Sequence, residues 1–179
     1  MFNRIFLIIT VFILFAITIG CSCGSQKKQQ AKKYSEQEFA DSLININRKQ
    51  IRDENDYINS YIARNKLNMK ETGTGLRYMI YQNGGGENAK PGQYAKVNYK
   101  VTLLDGTECY SSAKKGPQEF RIGQDNVESG LHEGITYMKV GDKAKFILPS
   151  HLAHGLVGDD NKIPVRAAII YDVELLSLR

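Results

Sequence analysis

V-E-S-G-L-H-E-G-I-T-Y-M-K-V-G-D-K-A-K-F-I-L-P-S-H-L-A-H-G, residues Val127 to Gly155, is the stretch from which the fold can be read. Leu131, Ile135 and Met138 recur at helical spacing just after Gly130, which predicts a short helix with one apolar face. Lys139-Val140-Gly141-Asp142 then reads as a stop and a tight turn. A strand follows, in which Ala144, Phe146 and Leu148 alternate with Lys143, Lys145 and Ile147. Pro149-Ser150 closes it ahead of a loop that holds His151 and His154. A helix this short is not stable alone in water, so its apolar face must lie on a sheet supplied by other segments.

Those segments flank the stretch on both sides. Leu76 to Gln82 reads as a first strand, and Asn83-Gly84-Gly85-Gly86 through Pro91-Gly92 as a loop. The triple glycine lacks the Lys-Ser/Thr and helix start of a nucleotide loop, so it reads as a turn. Tyr94 to Leu104 alternates, with Val97, Tyr99, Val101 and Leu103 on one face and Lys96, Asn98, Lys100 and Thr102 on the other, which predicts one buried face. Asp105-Gly106 turns the chain into a strand over Thr107 to Ser112, Glu119 to Ile122 gives another, and Ala167 to Leu178 closes the chain. In the last strand Asp172 and Glu174 form an acidic outer face suited to pair with Lys96 and Lys100. The expected class is α+β, a twisted antiparallel sheet wrapped over one short helix and preceded by a helical segment.

The 179 residues leave room for one ordinary domain and a smaller attachment. Lys+Arg of 24 against Asp+Glu of 19 gives a net charge of +5, but the basic residues are spread along the chain and no nucleic-acid motif accompanies them. No nucleic-acid partner is expected. At the N-terminus Arg4, the apolar run Ile5 to Ile19 and Gly20-Cys21 have the order of a signal peptide, residues 1–20. The cysteine after Gly20 resembles the lipobox of bacterial lipoproteins, which implies acylation of Cys21. An uncleaved anchor is the other reading, and both put the protein at a membrane. Residues 21–34, rich in Gln, Lys and Ser, then read as a solvated tether. Cys21, Cys23 and Cys109 imply no disulfide framework.

Ser35-x-x-Glu38 is a capping box that opens a helical segment over residues 35–70. Its apolar stripe is broken by Asn45, Asn47, Asn55 and Asn59, so a dimerising coiled coil through residues 35–69 and a helix packed on its own domain both fit. His151 and His154 lie near Asp159 and Asp160 without a third fixed ligand, and no metal or other cofactor is expected.

The central stretch, together with V-N-Y-K-V-T-L-L-D-G-T, F-R-I-G and Y-D-V-E-L-L in the same order, resembles the FK506-binding type of peptidyl-prolyl isomerase over residues 71–179. The helical segment, Tyr137-Met138, P-S-H-L-A-H-G and G-D-D-N-K-I are also similar to gliding-motility-associated lipoproteins of that family. The resemblance implies proline-containing polypeptides as substrates, a role in folding exported proteins, and a place in the bacterial envelope, on the outer membrane facing the periplasm. It also implies a site. Tyr99, Phe120, Val127, Leu131, Ile163 and Tyr171 would form its walls and floor, and the Glu128 backbone N–H would hold the substrate. Leu131 stands where the family has a tryptophan floor, Tyr110 where it has an aspartate, and His154 where it has a tyrosine. Those exchanges predict a pocket that is roomier at its base and less polar on the Tyr110 side. They also leave open a weakly active or inactive binding module on the same fold.

Overall fold

The computed structural model describes residues 35–179. Residues 1–34, where the signal peptide and tether are expected, lie outside the described residues, Cys21 and Cys23 among them. The chain divides into two units, residues 1–41 and 42–179. What is described of the first is the start of helix α1 (Glu36–Arg64), closed by the expected capping box. There the Glu38 N–H donates to Ser35 Oγ at 3.2 Å, and the Ser35 N–H donates to Glu38 Oε2 at 2.9 Å.

The second unit is built on an antiparallel sheet. Its strands are β1 (Lys70–Glu71), β2 (Arg77–Gln82), β3 (Tyr94–Leu103), β4 (Glu108–Ser111), β5 (Gln118–Arg121), β6 (Lys143–Leu148) and β7 (Ile169–Leu178). Their order is β1-β2-β6-β7-β3-β4, and β5 pairs with the first half of β3. Strand β3 lies between β7 and the edge made by β4 and β5, and its apolar alternation gives it a buried face, with Ala95, Val97 and Val101 inside. Its β4 partner returns through the Asp105-Gly106 turn, where Gly106 has φ +92° and Asp105 Oδ1 accepts the Thr107 N–H at 2.8 Å. A one-turn helix α2 (Ser112–Lys115) joins β4 to β5, and helix α3 (Ser129–Thr136) precedes β6.

Helix α3 buries Gly130, Leu131, Gly134 and Ile135 against the sheet. The two glycines set its distance from β6. A Cβ on Gly130 would come 2.5 Å from Leu148 Cγ, and one on Gly134 would come 2.8 Å from the Phe146 ring. Only a helix face without side chains at these points lies so close to β6. Met138, Phe146, Leu148, Val173 and Leu175 complete the core around it.

Two expectations are corrected. Ile147, read as outward-facing with Lys143 and Lys145, is fully buried, because α1 crosses the outer face of the sheet. Ile58 of α1, itself fully buried, packs there with Ile147, Ala168 and Ile170. Glu54 accepts the Ser150 N–H at 2.6 Å, and Asn55 Oδ1 accepts from Arg77 Nη2 at 3.2 Å. Of the two readings of the helical segment, this half of α1 is packed on its own domain. The second correction concerns the acidic face. Asp172 is bonded to Lys145 at 2.6 Å and Glu174 to Lys143 at 3.7 Å, while Lys100 reaches Glu108 at 3.4 Å. β7 lies between β3 and β6, so its carboxylates face lysines on both sides, and those of β6 take them.

Candidate active site

The sheet, α3 and the segment after β6 border an open cavity of about 750 Å³. Tyr99 on β3, Tyr110 on β4, Val127 and Glu128 ahead of α3, His154 beyond β6 and Tyr171 on β7 all line it. Of the other expected site residues, Phe120, Leu131 and Ile163 are buried in the adjoining core, which Tyr99, Tyr110 and Val127 pack against. Leu131, like Phe120 and Ile163, lies beneath the residues that line the cavity and is not itself among them.

The apolar wall is made by Tyr99 and Tyr171, whose rings lie 6.4 Å apart at 46°, together with Val101 and Val127. The Tyr99 N–H donates to Ser112 Oγ at 3.0 Å, so the start of α2 fixes this part of β3. Into this wall the fold sets a carboxylate. Glu128 Oε2 accepts the Tyr171 hydroxyl at 2.9 Å, and Glu128 Oε1 lies 2.9 Å from His154 Nε2. The Glu128 side chain is only 13% exposed, so its two partners are what compensate its lost hydration. Burial first, and then the Glu128 charge, push the Tyr171 phenol well above its ordinary range, and the same two causes raise Tyr99. Both phenols therefore stay protonated across the physiological range, and that of Tyr171 donates to Glu128.

The Tyr110 side is more polar than the sequence suggests. The Tyr110 hydroxyl donates to Asp159 Oδ2, and Lys115 and Lys162 sit over its ring with their Nζ atoms 4.4 and 5.5 Å from the centroid. The hydrogen bond to Asp159 is the main reason the Tyr110 phenol is raised, with burial second. Asp159, on the segment between β6 and β7, thus sets a carboxylate beside Tyr110. Burial pushes the Asp159 carboxyl up. The Tyr110 hydroxyl and the N–H groups of Ile163, Asn161 and Lys162 outweigh it, and they hold the group at about 2. Cys109 beside it is buried, and burial followed by the Asp159 charge pushes its thiol up, so it is not poised as a nucleophile. The two histidines go to different partners, His154 to Glu128 and His151 to the Thr74 carbonyl at 2.9 Å. Among the described residues no group of three metal-ligating side chains forms.

Such a cavity, with one aromatic and aliphatic wall, polar side chains around the rest of its lining and no activated nucleophile, suits an apolar group that carries hydrogen-bonding groups on either side of it. Sequence reasoning missed the side chain of Glu128, Asp159 in its role toward Tyr110, and Lys115. An available signal was Tyr110 itself, a phenol on a mostly buried strand that needs a partner for its hydroxyl.

Comparison with known proteins agrees. The family model described as FKBP-type peptidyl-prolyl cis-trans isomerase matches residues 85–176, just over half of the chain. The chain is 42% identical over 121 residues to the FKBP-type peptidyl-prolyl cis-trans isomerase FkpA of Aeromonas hydrophila. That match covers 66% of this chain and 44% of the relative, so the chain spans less than half the length of that curated relative. The crystal structure of FkpA from Escherichia coli superposes with a TM-score of 0.60 at 32% identity, covering 82% of this chain and 74% of that one. A peptidyl-prolyl cis-trans isomerase from Pseudomonas syringae gives a TM-score of 0.63 at 25% identity, with 73% and 94% covered. By the family model, the sequence relatives and the shared architecture, this chain belongs to the FKBP-type peptidyl-prolyl cis-trans isomerase family.

Proposed function

We propose that the protein is a peptidyl-prolyl cis/trans isomerase that assists the folding of exported proteins and is held at a bacterial membrane by an acylated Cys21. The observation that carries this reading is the Tyr99, Val127 and Tyr171 wall in a chain of this family. Rotation about a prolyl amide meets a resonance barrier of about 18–20 kcal/mol. The planar amide is the more polar state. An apolar wall that excludes water thus favours the twisted transition state over the ground state, and no covalent step is needed. The Glu128 backbone N–H and the hydrogen-bonding groups at the rim orient the substrate backbone. The test is kcat/KM on a proline tetrapeptide, and a rate no greater than the uncatalysed one overturns the reading.

The anchor rests on the Gly20-Cys21 junction and the polar tether after it. The reading puts the protein in the bacterial envelope, with the outer membrane, facing the periplasm, as the proposed site. Mass spectrometry of the mature N-terminus tests it: the expected product begins at a diacylated Cys21, and an intact Met1 or a start elsewhere refutes it. Pairing of two copies through residues 35–69 belongs to the same reading and is tested by sedimentation of the soluble protein with and without those residues.

A second reading has its own support in the Glu128 carboxylate, a charged group in the wall that an isomerase needs apolar. It is a binding module or chaperone of weak or no turnover in an envelope assembly of the gliding-motility kind. A folded protein that binds proline peptides without turning them over decides for it.

A further inference from the structure

Glu128 brings a carboxylate into the lining of the cavity without a cation to balance it. Elsewhere in the domain carboxylates on the strands are paired: Asp172 with Lys145, Glu174 with Lys143, and Glu108 with both Lys100 and Lys114. Among the described residues neither a lysine nor an arginine pairs with Glu128. Its two bonds go to a phenol and an imidazole, those of Tyr171 and His154, each at 2.9 Å. A carboxylate offers about four acceptor positions, so these bonds leave about half of them open. The other charged groups of the lining are already engaged. Asp159 Oδ1 accepts three backbone N–H groups and its Oδ2 accepts the Tyr110 hydroxyl, while the Lys115 ammonium lies over the Tyr110 ring at 4.4 Å. Nothing cancels the Glu128 charge locally, and after burial it is the next cause that raises the phenols of both Tyr171 and Tyr99.

We propose that the Glu128 carboxylate determines specificity, selecting clients with a lysine or arginine next to the proline and disfavouring an acidic residue there. The proposal rests on the isomerase reading above. In that reading the Glu128 backbone N–H holds the client backbone, and the carboxylate stands on the same residue. The side chains that flank the proline therefore pass close to it, and a lysine adds the reach of its own four-carbon stem. Two features of the site strengthen the attraction. The carboxylate is only 13% exposed, so a charge brought to it is less screened than at an open surface. The Tyr99 and Tyr171 rings beside it also favour a cation over their faces. An acidic client residue meets a like charge in the same place, so the selection has a repulsive part as well as an attractive one.

Two pairs of end-blocked proline tetrapeptides test this, one pair with lysine or glutamate before the proline and the other with lysine or glutamate after it. The variant compared with the wild type is Glu128→Gln. It keeps the shape of the side chain and both bonds, since an amide oxygen accepts the Tyr171 hydroxyl and an amide N–H donates to His154. For the wild type at low salt we expect kcat/KM to be roughly tenfold higher on the lysine peptide of at least one pair, a gap of about 1.4 kcal/mol. In Glu128→Gln that gap should narrow to about twofold or less, whatever the variant does to the two rates together. Raising the salt to about 1 M, where the Debye length is about 3 Å, should shrink the gap of the wild type, a readout that does not depend on the variant folding. A wild type without preference in either pair overturns the proposal, as does a gap that Glu128→Gln retains or that salt leaves unchanged. Affinity for fluorescent forms of the same peptides, read by anisotropy, separates the two claims. An affinity gap without turnover refutes the isomerase reading and supports the selection by Glu128, while turnover without a gap does the reverse.

Discussion

Truncating Ile58 tests whether α1 is structurally part of the domain. The side chain is fully buried against Ile147, Ala168 and Ile170, on the face of the sheet opposite α3. Ile58→Ala removes its outer carbons and leaves a gap that the paired strands β6 and β7 cannot close. Large-to-small changes of this kind cost about 2–5 kcal/mol, and about 3 is expected here because Tyr61, Ile62 and Met69 border the site and can relax into part of the space. For a chain of this size that corresponds to a fall in Tm of about 6–12 °C. The assay is urea unfolding, with the midpoint shifting at constant slope. Leu43→Ala on the same helix, at a side chain 46% exposed, is the control and should change stability by less than about 0.5 kcal/mol. A cost below about 1 kcal/mol for Ile58→Ala would mean that the helix rests on the sheet without contributing to it, and the packing argument would be wrong.

Removing residues 35–69 altogether should leave a domain that still unfolds cooperatively, with a lower midpoint, because the core around α3 lies wholly after them; loss of any transition would make α1 part of the indispensable core. Gly134→Ala should destabilise by about 1–3 kcal/mol despite the better helix propensity of alanine, since the new methyl meets the Phe146 ring at 2.8 Å; a neutral result would mean that α3 can move away from β6. Asp159→Asn should lower Tm at neutral pH. The folded-state carboxyl is depressed from 3.8 to about 2, so its contribution is present above about pH 4 and is lost as pH falls through 2. The Tm difference between wild type and variant should therefore shrink over that window, and a difference that does not vary with pH would refute the role given to the carboxylate.

The sheet and α3 were legible because each is a local pattern. β3 alternates along its length and β6 as far as Phe146, and the helix carries Leu131 and Ile135 at its own period. Ile147 was not. Alternation places a residue on a face but does not say what covers that face, and the cover comes from Ile58, far away in the sequence. The same limit applies at the site. Tyr99, Val127 and Tyr171 could be located from the motifs that surround them, whereas the Tyr171 bond to Glu128 joins residues 43 apart and the Tyr110 bond to Asp159 joins residues 49 apart. No spacing rule reaches such pairs. The charges were misassigned for a related reason. Lysines on both neighbours of β7 suit Asp172 and Glu174, and only the strand order shows that β6 is one of those neighbours.

The central claim is that the cavity walled by Tyr99 and Tyr171 turns over prolyl peptides. The most direct measurement is kcat/KM on a proline tetrapeptide for the wild type and for Tyr99→Ala, a half-buried wall residue whose removal leaves the deep core around Phe146 intact. The account predicts catalysis by the wild type and a loss of roughly tenfold or more in the folded variant, about 1.4 kcal/mol of transition-state stabilisation. A wild-type rate equal to the uncatalysed one, or a folded Tyr99→Ala as active as the wild type, would contradict it.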